Sequence, residues 1–201
     1  MKQGIQQKDS FVLQENNKMA TKKKAIVKKV AAAKAVKKEP FKNYVTKWKV
    51  GDKAPAFKGV DQDGKKISST DYKGKKLILF FYPEDDTLSC TQEACNLRDN
   101  YTLLKEMGFE LIGISEDGVE KHKKFETKYN LPYRLIADED HAVIDAYDVW
   151  GKKQFMGKIY DGLVRTSFVI NEKGIITGIV TRVLTKKHTQ QILDTLQPVQ
   201  K

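Results

Sequence analysis

Two cysteines, three histidines and no long apolar run set the first limits on this chain of 201 residues. Nothing approaches the roughly 18 consecutive apolar residues that a membrane-spanning helix needs, so no membrane span is expected. The start of the chain also lacks the apolar core of about 7 to 15 residues that marks a secretory signal, because lysine interrupts the Val/Ala stretch at 30–36. The first 47 residues contain no arginine, which argues against an organellar transit peptide. These absences point to a reducing cytoplasm, where two nearby cysteines are more often catalytic than structural. His122, His141 and His188 are scattered, and no two have the spacing that aims imidazoles at one ion, so no metal site is expected. They are read as surface or core-edge side chains, and Trp48 and Trp150 as packing residues.

What is abundant is lysine, and it is unevenly placed. Residues 1–47 hold 13 lysines against three acids, a net of +10 out of +11, leaving +1 for the remaining 154 residues. The expected organisation is a basic, Lys/Ala-rich disordered tail over 1–46, with transient helix at most over 25–38, followed by one folded domain over 47–201. Lysine-rich tracts bind phosphates by releasing counterions, so weak nucleic-acid binding is one expectation for the tail, beside a merely solubilising role. Met19, followed by Ala-Thr-Lys-Lys-Lys, is an alternative start to Met1.

Both cysteines fall between Phe80 and Asp99. The apolar run at 75–82 is too short for a helix and too hydrophobic on both faces for an edge strand, so it reads as a buried central strand. Pro83 ends it, and Glu84-Asp85-Asp86 makes a polar turn. Ser89 with Gln92 has the spacing of a capping box, and Ala94, Leu97, Tyr101 and Leu104 recur at helical spacing. A helix is therefore expected from about Ser89 to Met107-Gly108, with Cys90 in its first turn, where unpaired amides favour a thiolate nucleophile. Cys95 is five residues on; in a regular helix the two Cα atoms stand about 8.6 Å apart, beyond the roughly 7 Å that a disulfide spans. The pair bonds only if the helix unwinds, which suits a reaction cycle better than a static staple.

These residues carry a resemblance. The spacing Pro83-x3-Thr87-x2-Cys90 resembles that of peroxiredoxins, and the following Thr-Gln-Glu-Ala-Cys-Asn-Leu-Arg-Asp is similar to the subgroup called bacterioferritin comigratory protein or PrxQ. The likeness extends through 150–158 and 165–170 and covers about 50–196. Many relatives have Pro-Gly where this chain has Leu88-Ser89, a difference that touches loop detail and not a reacting group. The resemblance implies a thioredoxin-like α/β fold of peroxiredoxin type, a central mixed sheet flanked by helices. It implies peroxidatic Cys90, resolving Cys95 with a Cys90–Cys95 disulfide in the oxidised form, and no cofactor. Thr87 would set its hydroxyl near sulfur and peroxide, Pro83 would shield the sulfur, Arg165 would supply positive charge, and Glu93 would orient Arg165. Thioredoxin or a similar dithiol is the implied reductant, small peroxides the substrates and a monomer the default state.

The remaining elements follow from pattern. Residues 54–57 read as an extended stretch, 60–67 as a hairpin about an Asp-Gly turn, 109–115 as a strand, 118–129 as a charged amphipathic helix with a solvated face, and 134–137 as a strand. A short helix is expected over 138–147, a hairpin from 166–170 and 175–181, and a closing helix over 187–196. Alternating strands and helices imply parallel pairing with right-handed crossovers. Two other functions compete: a general thiol-disulfide oxidoreductase, whose usual spacing is Cys-x2-Cys and not the Cys-x4-Cys found here, and a nucleic-acid-binding protein acting through its tail.

Overall fold

The computed structural model describes residues 41, 42 and 44–197. The tail expected over 1–46, including the helix expected over 25–38, lies up to residue 40 outside the described residues. Tyr44 is docked on the domain: its amide donates to the Lys152 carbonyl at 2.8 Å and its hydroxyl to Asp148 at 2.7 Å.

The described residues hold nine strands and five α-helices: β1 Lys58–Asp61, β2 Lys66–Ser68, β3 Lys76–Phe81, α1 Leu88–Asp99, α2 Tyr101–Glu106, β4 Phe109–Ser115 and α3 Val119–Tyr129. Then come β5 Arg134–Ala137, α4 Ala142–Ala146, β6 Trp150–Phe155, β7 Lys158–Leu163, β8 Thr166–Ile170, β9 Ile176–Val180 and α5 His188–Leu196. Seven strands form one mixed sheet in the order β2-β1-β5-β4-β3-β8-β9, while β6 and β7 form a separate two-stranded sheet. The β3–β4 and β4–β5 pairs are parallel, as the strand–helix alternation predicts, and the outer pairs are antiparallel.

The unbroken apolar run of β3 is explained by two cores, one on each face of the sheet. Leu77, Leu79 and Phe81 join Ile112, Ile114, Phe168 and the α4 residues Val143 and Ile144. Ile78, Phe80 and Tyr82 point the other way, into a cluster with Cys90, Ala94 and Leu97 of α1, Phe125 of α3 and Ile192 of α5. Gly113 of β4 makes room for that second layer: a Cβ there would come within 2.7 Å of both Leu135 and the Phe80 ring. Each fully buried Leu or Phe contributes about 1.5–3 kcal/mol.

Four local expectations need correction. The capping box at Ser89 and Gln92 does not form: Thr87 is the N-cap, with no side-chain cap bond. Ser89 Oγ instead accepts from Arg165, and Gln92 Oε1 accepts from Thr185. The single helix expected to Gly108 breaks at Asn100, whose side chain donates to the Asn96 carbonyl at 2.8 Å and competes with the helical ladder. The helix expected over 138–147 shrinks to five residues, because Asp138 stays outside it and caps it by accepting from the Val143 and Ile144 amides. The β6–β7 hairpin was absent from the sequence reading; its two-residue turn, Met156-Gly157, has positive φ at both positions, as a type I′ turn requires.

Candidate active site

β3 pairs antiparallel with β8 so that Phe81 faces Thr166. One step beyond that pair, β3 delivers Tyr82 and the 83–87 loop to the start of α1, while the approach to β8 delivers Arg165. The register thus brings together two stretches 75 positions apart: Arg165 Nη2 lies 3.2 Å from Cys90 Sγ. Arg165 Nη1 donates to Glu93 Oε2, and Nη2 also reaches Ser89 Oγ at 3.2 Å. Cys90 is 2% exposed and Glu93 is fully buried, so the guanidinium acts in a poorly solvated setting where a fixed charge counts for more than in water.

Thr87 stands three residues before the sulfur, and its hydroxyl donates to the Glu84 carbonyl at 3.2 Å. Pro83 is half-buried at the head of the loop. Cys95 is half-buried further along α1, and both cysteines are free thiols. They lie on one continuous helix, so the separation of about 8.6 Å inferred from ideal geometry applies to this reduced form.

The polar turn is held from outside by α3. Lys121 pairs with Glu84 at 2.9 Å, His122 Nδ1 with Asp85 at 2.7 Å, and Lys128 with Asp86 at 2.6 Å, where Tyr129 also donates. Tyr82 donates to the other Asp85 oxygen at 2.7 Å; burial, and then the Asp85 charge, hold this phenol well above its ordinary range, so it remains a donor. Asp117 accepts from the Asp85 amide and from Ser115. Burial pushes the Asp117 carboxyl up, but Lys121, the Asp85 amide and Ser115 outweigh it and leave the group below its ordinary value. Asp85, Asp117 and His122 gather their ligand-type atoms within 4.8 Å of one another, yet protein donors already serve both carboxylates. The group is a hydrogen-bond network that anchors the loop.

Two expectations about side chains fail here. His122 and His188 are fully buried, not at the surface or core edge, because each has polar partners inside the fold. The charged helix 118–129 is more than a solvated face, since its lysines and His122 grip the turn before Cys90. Lys153 was also missed. It comes from the unforeseen hairpin, donates from Nζ to the Leu163 carbonyl at 2.9 Å, and has its pKa lowered by burial, against the opposing pull of Glu116 and Cys90. The only sequence signal was its place in the Trp-Gly-Lys-Lys run. Trp48 and Trp150 pack against the core, Trp48 donating to the Ala146 carbonyl at 3.0 Å. A surface concavity of about 340 Å³ lined by Gln62, Tyr72, Tyr101 and Arg134 includes none of the site residues.

A mixed sheet with this helix-borne cysteine defines a class, and the chain belongs to the AhpC/TSA family, whose family model matches residues 50–179. Within it the chain is similar to Peroxiredoxin Bcp of Escherichia coli, 43% identical over 149 residues that span 74% of this chain and 96% of that one. Peroxiredoxin Bcp of Bacillus subtilis is 40% identical over 148 residues, covering 74% and 94%. Among solved structures, Peroxidoxin BcpB of Mycobacterium tuberculosis superposes with a TM-score of 0.66 at 30% identity, over 76% of this chain and 99% of that chain. Peroxiredoxin Q of Xanthomonas campestris gives 0.65 at 26%, over 70% and 89%. The chain is a thiol peroxidase of the Bcp/PrxQ type, with peroxides as substrates and a thioredoxin-type reductant. Neither general disulfide exchange nor nucleic-acid binding is favoured as its main activity. No helix among the described residues is long and apolar enough to cross a membrane.

Proposed function

We propose that Cys90 is the peroxidatic residue and Cys95 the resolving one, in a cycle that reduces hydrogen peroxide and organic hydroperoxides. The observation that carries this reading is Arg165 Nη2 at 3.2 Å from the Cys90 sulfur, with the guanidinium tied to Glu93. The thiolate electron pair forms an S–O bond as the O–O bond breaks; the departing oxygen takes a proton and leaves as water or an alcohol, and Cys90 becomes a sulfenic acid. Arg165 faces the charge that builds on the peroxide oxygens. Thr87, at the N-cap, has a hydroxyl able to donate to one oxygen and accept from the other once it releases Glu84, and Pro83 screens the loop side. Cys95 then condenses with the sulfenic acid, expelling water and forming the Cys90–Cys95 disulfide after the first turns of α1 unwind. A dithiol such as thioredoxin reduces this bond by exchange.

Alkyl peroxide reduction is named for the Xanthomonas campestris bacterioferritin comigratory protein, which supports organic hydroperoxides as substrates here. The whole proposed set lies in one chain, which supports a monomer as the working unit. The reducing chemistry of the cycle fits a cytoplasmic location. The charge of residues 1–47 is the only support for weak nucleic-acid contact through the tail. The test is peroxide loss with thioredoxin, its reductase and NADPH: wild type turns over and Cys90→Ser does not. Substantial turnover by Cys90→Ser would remove Cys90 from the role.

A further inference from the structure

His188 opens α5 and is completely buried, with no part in the cycle above. Its place is set by α1: Asn96 Oδ1 accepts from the Thr189 amide at 2.9 Å, and Asn96 Nδ2 donates to the Lys186 carbonyl at 3.1 Å. The Phe80 ring meets the imidazole edge-on, with centroids 6.3 Å apart. On one side, Nε2 lies 2.8 Å from Ser167 Oγ. On the other, Nδ1 lies 3.0 Å from Glu93 Oε1, off the straight hydrogen-bond line, and neither of these two buried atoms has another polar partner among the described residues. Glu93 Oε2 is the oxygen that accepts from Arg165. A continuous path therefore runs from Ser167 on β8, through His188 on α5 and Glu93 on α1, to Arg165 and the Cys90 sulfur.

We propose that His188 is a positioning residue of the peroxidase site: it holds the buried Glu93 carboxylate so that Glu93 fixes the Arg165 guanidinium against Cys90. The groups facing the imidazole are Glu93 from α1, Arg165 from the approach to β8, Ser167 from β8 and Phe80 from β3. Burial first, and the Arg165 charge second, push its pKa down to about 3, so the ring is neutral and has one donor and one acceptor nitrogen. The partners assign the tautomer: Ser167 donates to Nε2, which leaves the proton on Nδ1, in close but poorly aligned contact with Glu93 Oε1. Without that contact, Glu93 Oε1, which accepts no hydrogen bond, loses its one close polar neighbour among the described residues. Taking up a proton or rotating relieves the loss, and either response releases Arg165 from its place beside the sulfur.

The inference rests on the proposed roles of Cys90 and Arg165, and the experiment separates the two. Single-round peroxide consumption and alkylation of Cys90 by iodoacetamide are measured at pH 7 for His188→Leu, His188→Asn and His188→Gln, with thermal unfolding beside them. Asparagine puts an amide N–H where Nδ1 stands, whereas glutamine puts it nearer Nε2. Leucine and glutamine are expected to slow both reactions about tenfold or more, as loss of alignment does, and asparagine to stay within about threefold of wild type. If the leucine variant does not fold, the contrast between asparagine and glutamine decides. Wild-type rates in leucine or glutamine would overturn the proposal, as would an asparagine variant slowed as much as glutamine. Activity retained by Cys90→Ser would instead overturn the site reading beneath it.

Discussion

The Cys90 sulfur sits in the first turn of its helix, but the nearest charge comes from Arg165, 75 positions away, and is steered by Glu93 one turn on. The spacing of Pro83, Thr87 and Cys90 was legible because these residues are local in sequence, and Arg165 through the Arg-Thr-Ser-Phe-Val-Ile run. His188 and Lys153 were not, because their partners depend on register and helix docking, which leave no local pattern. His188 also carries a pH dependence. In the unfolded chain histidine binds a proton below about 6.5, whereas in the fold it does so only near 3. Between those values the unfolded state holds more protons, so stability should fall as pH drops below about 6.5, by at most about 1.4 kcal/mol per unit. Urea midpoints at pH 7.5 and pH 5 check this: His188→Asn should show a shallower fall than wild type, and equal falls would contradict it.

At the scale of elements, β3 and the turn after it do different work. The strand is buried on both faces and supplies alternate residues to two cores, which is why its apolar run was readable; β4 and β5 match their expected bounds for the same reason. The turn was readable only as polar. Its function as a seat for α3 depends on Lys121, His122 and Lys128 finding Glu84, Asp85 and Asp86 across the fold. Of these the His122–Asp85 pair matters most, since both side chains are fully buried while the two lysine pairs are largely exposed. His122→Leu keeps volume but leaves Asp85 without its ring partner, with Tyr82 as its remaining side-chain donor, and should cost about 1.5–3 kcal/mol in urea unfolding. A loss below about 1 kcal/mol would mean that the turn holds itself. The β6–β7 hairpin escaped notice because lysine, glutamine and glycine dominate it, so neither apolar alternation nor a common hairpin dipeptide announced it.

Across the whole molecule, a parallel core of β3, β4 and β5 with β8 added antiparallel places the start of α1 and the approach to β8 at the same end of the sheet. That topology makes a site from two distant stretches and keeps both cysteines on one helix, close in sequence yet too far apart to bond while it is intact. The central claim is that peroxide oxidises Cys90 and that α1 then yields to let Cys95 reach it. The most direct measurement treats fully reduced protein with one equivalent of hydrogen peroxide and maps the product by peptide mass spectrometry. The account predicts a Cys90–Cys95 disulfide in wild type, a sulfenic acid confined to Cys90 in Cys95→Ser, and no oxidation of Cys95 in Cys90→Ser. Oxidation of Cys95 ahead of Cys90, or unreacted thiols in wild type, would contradict it.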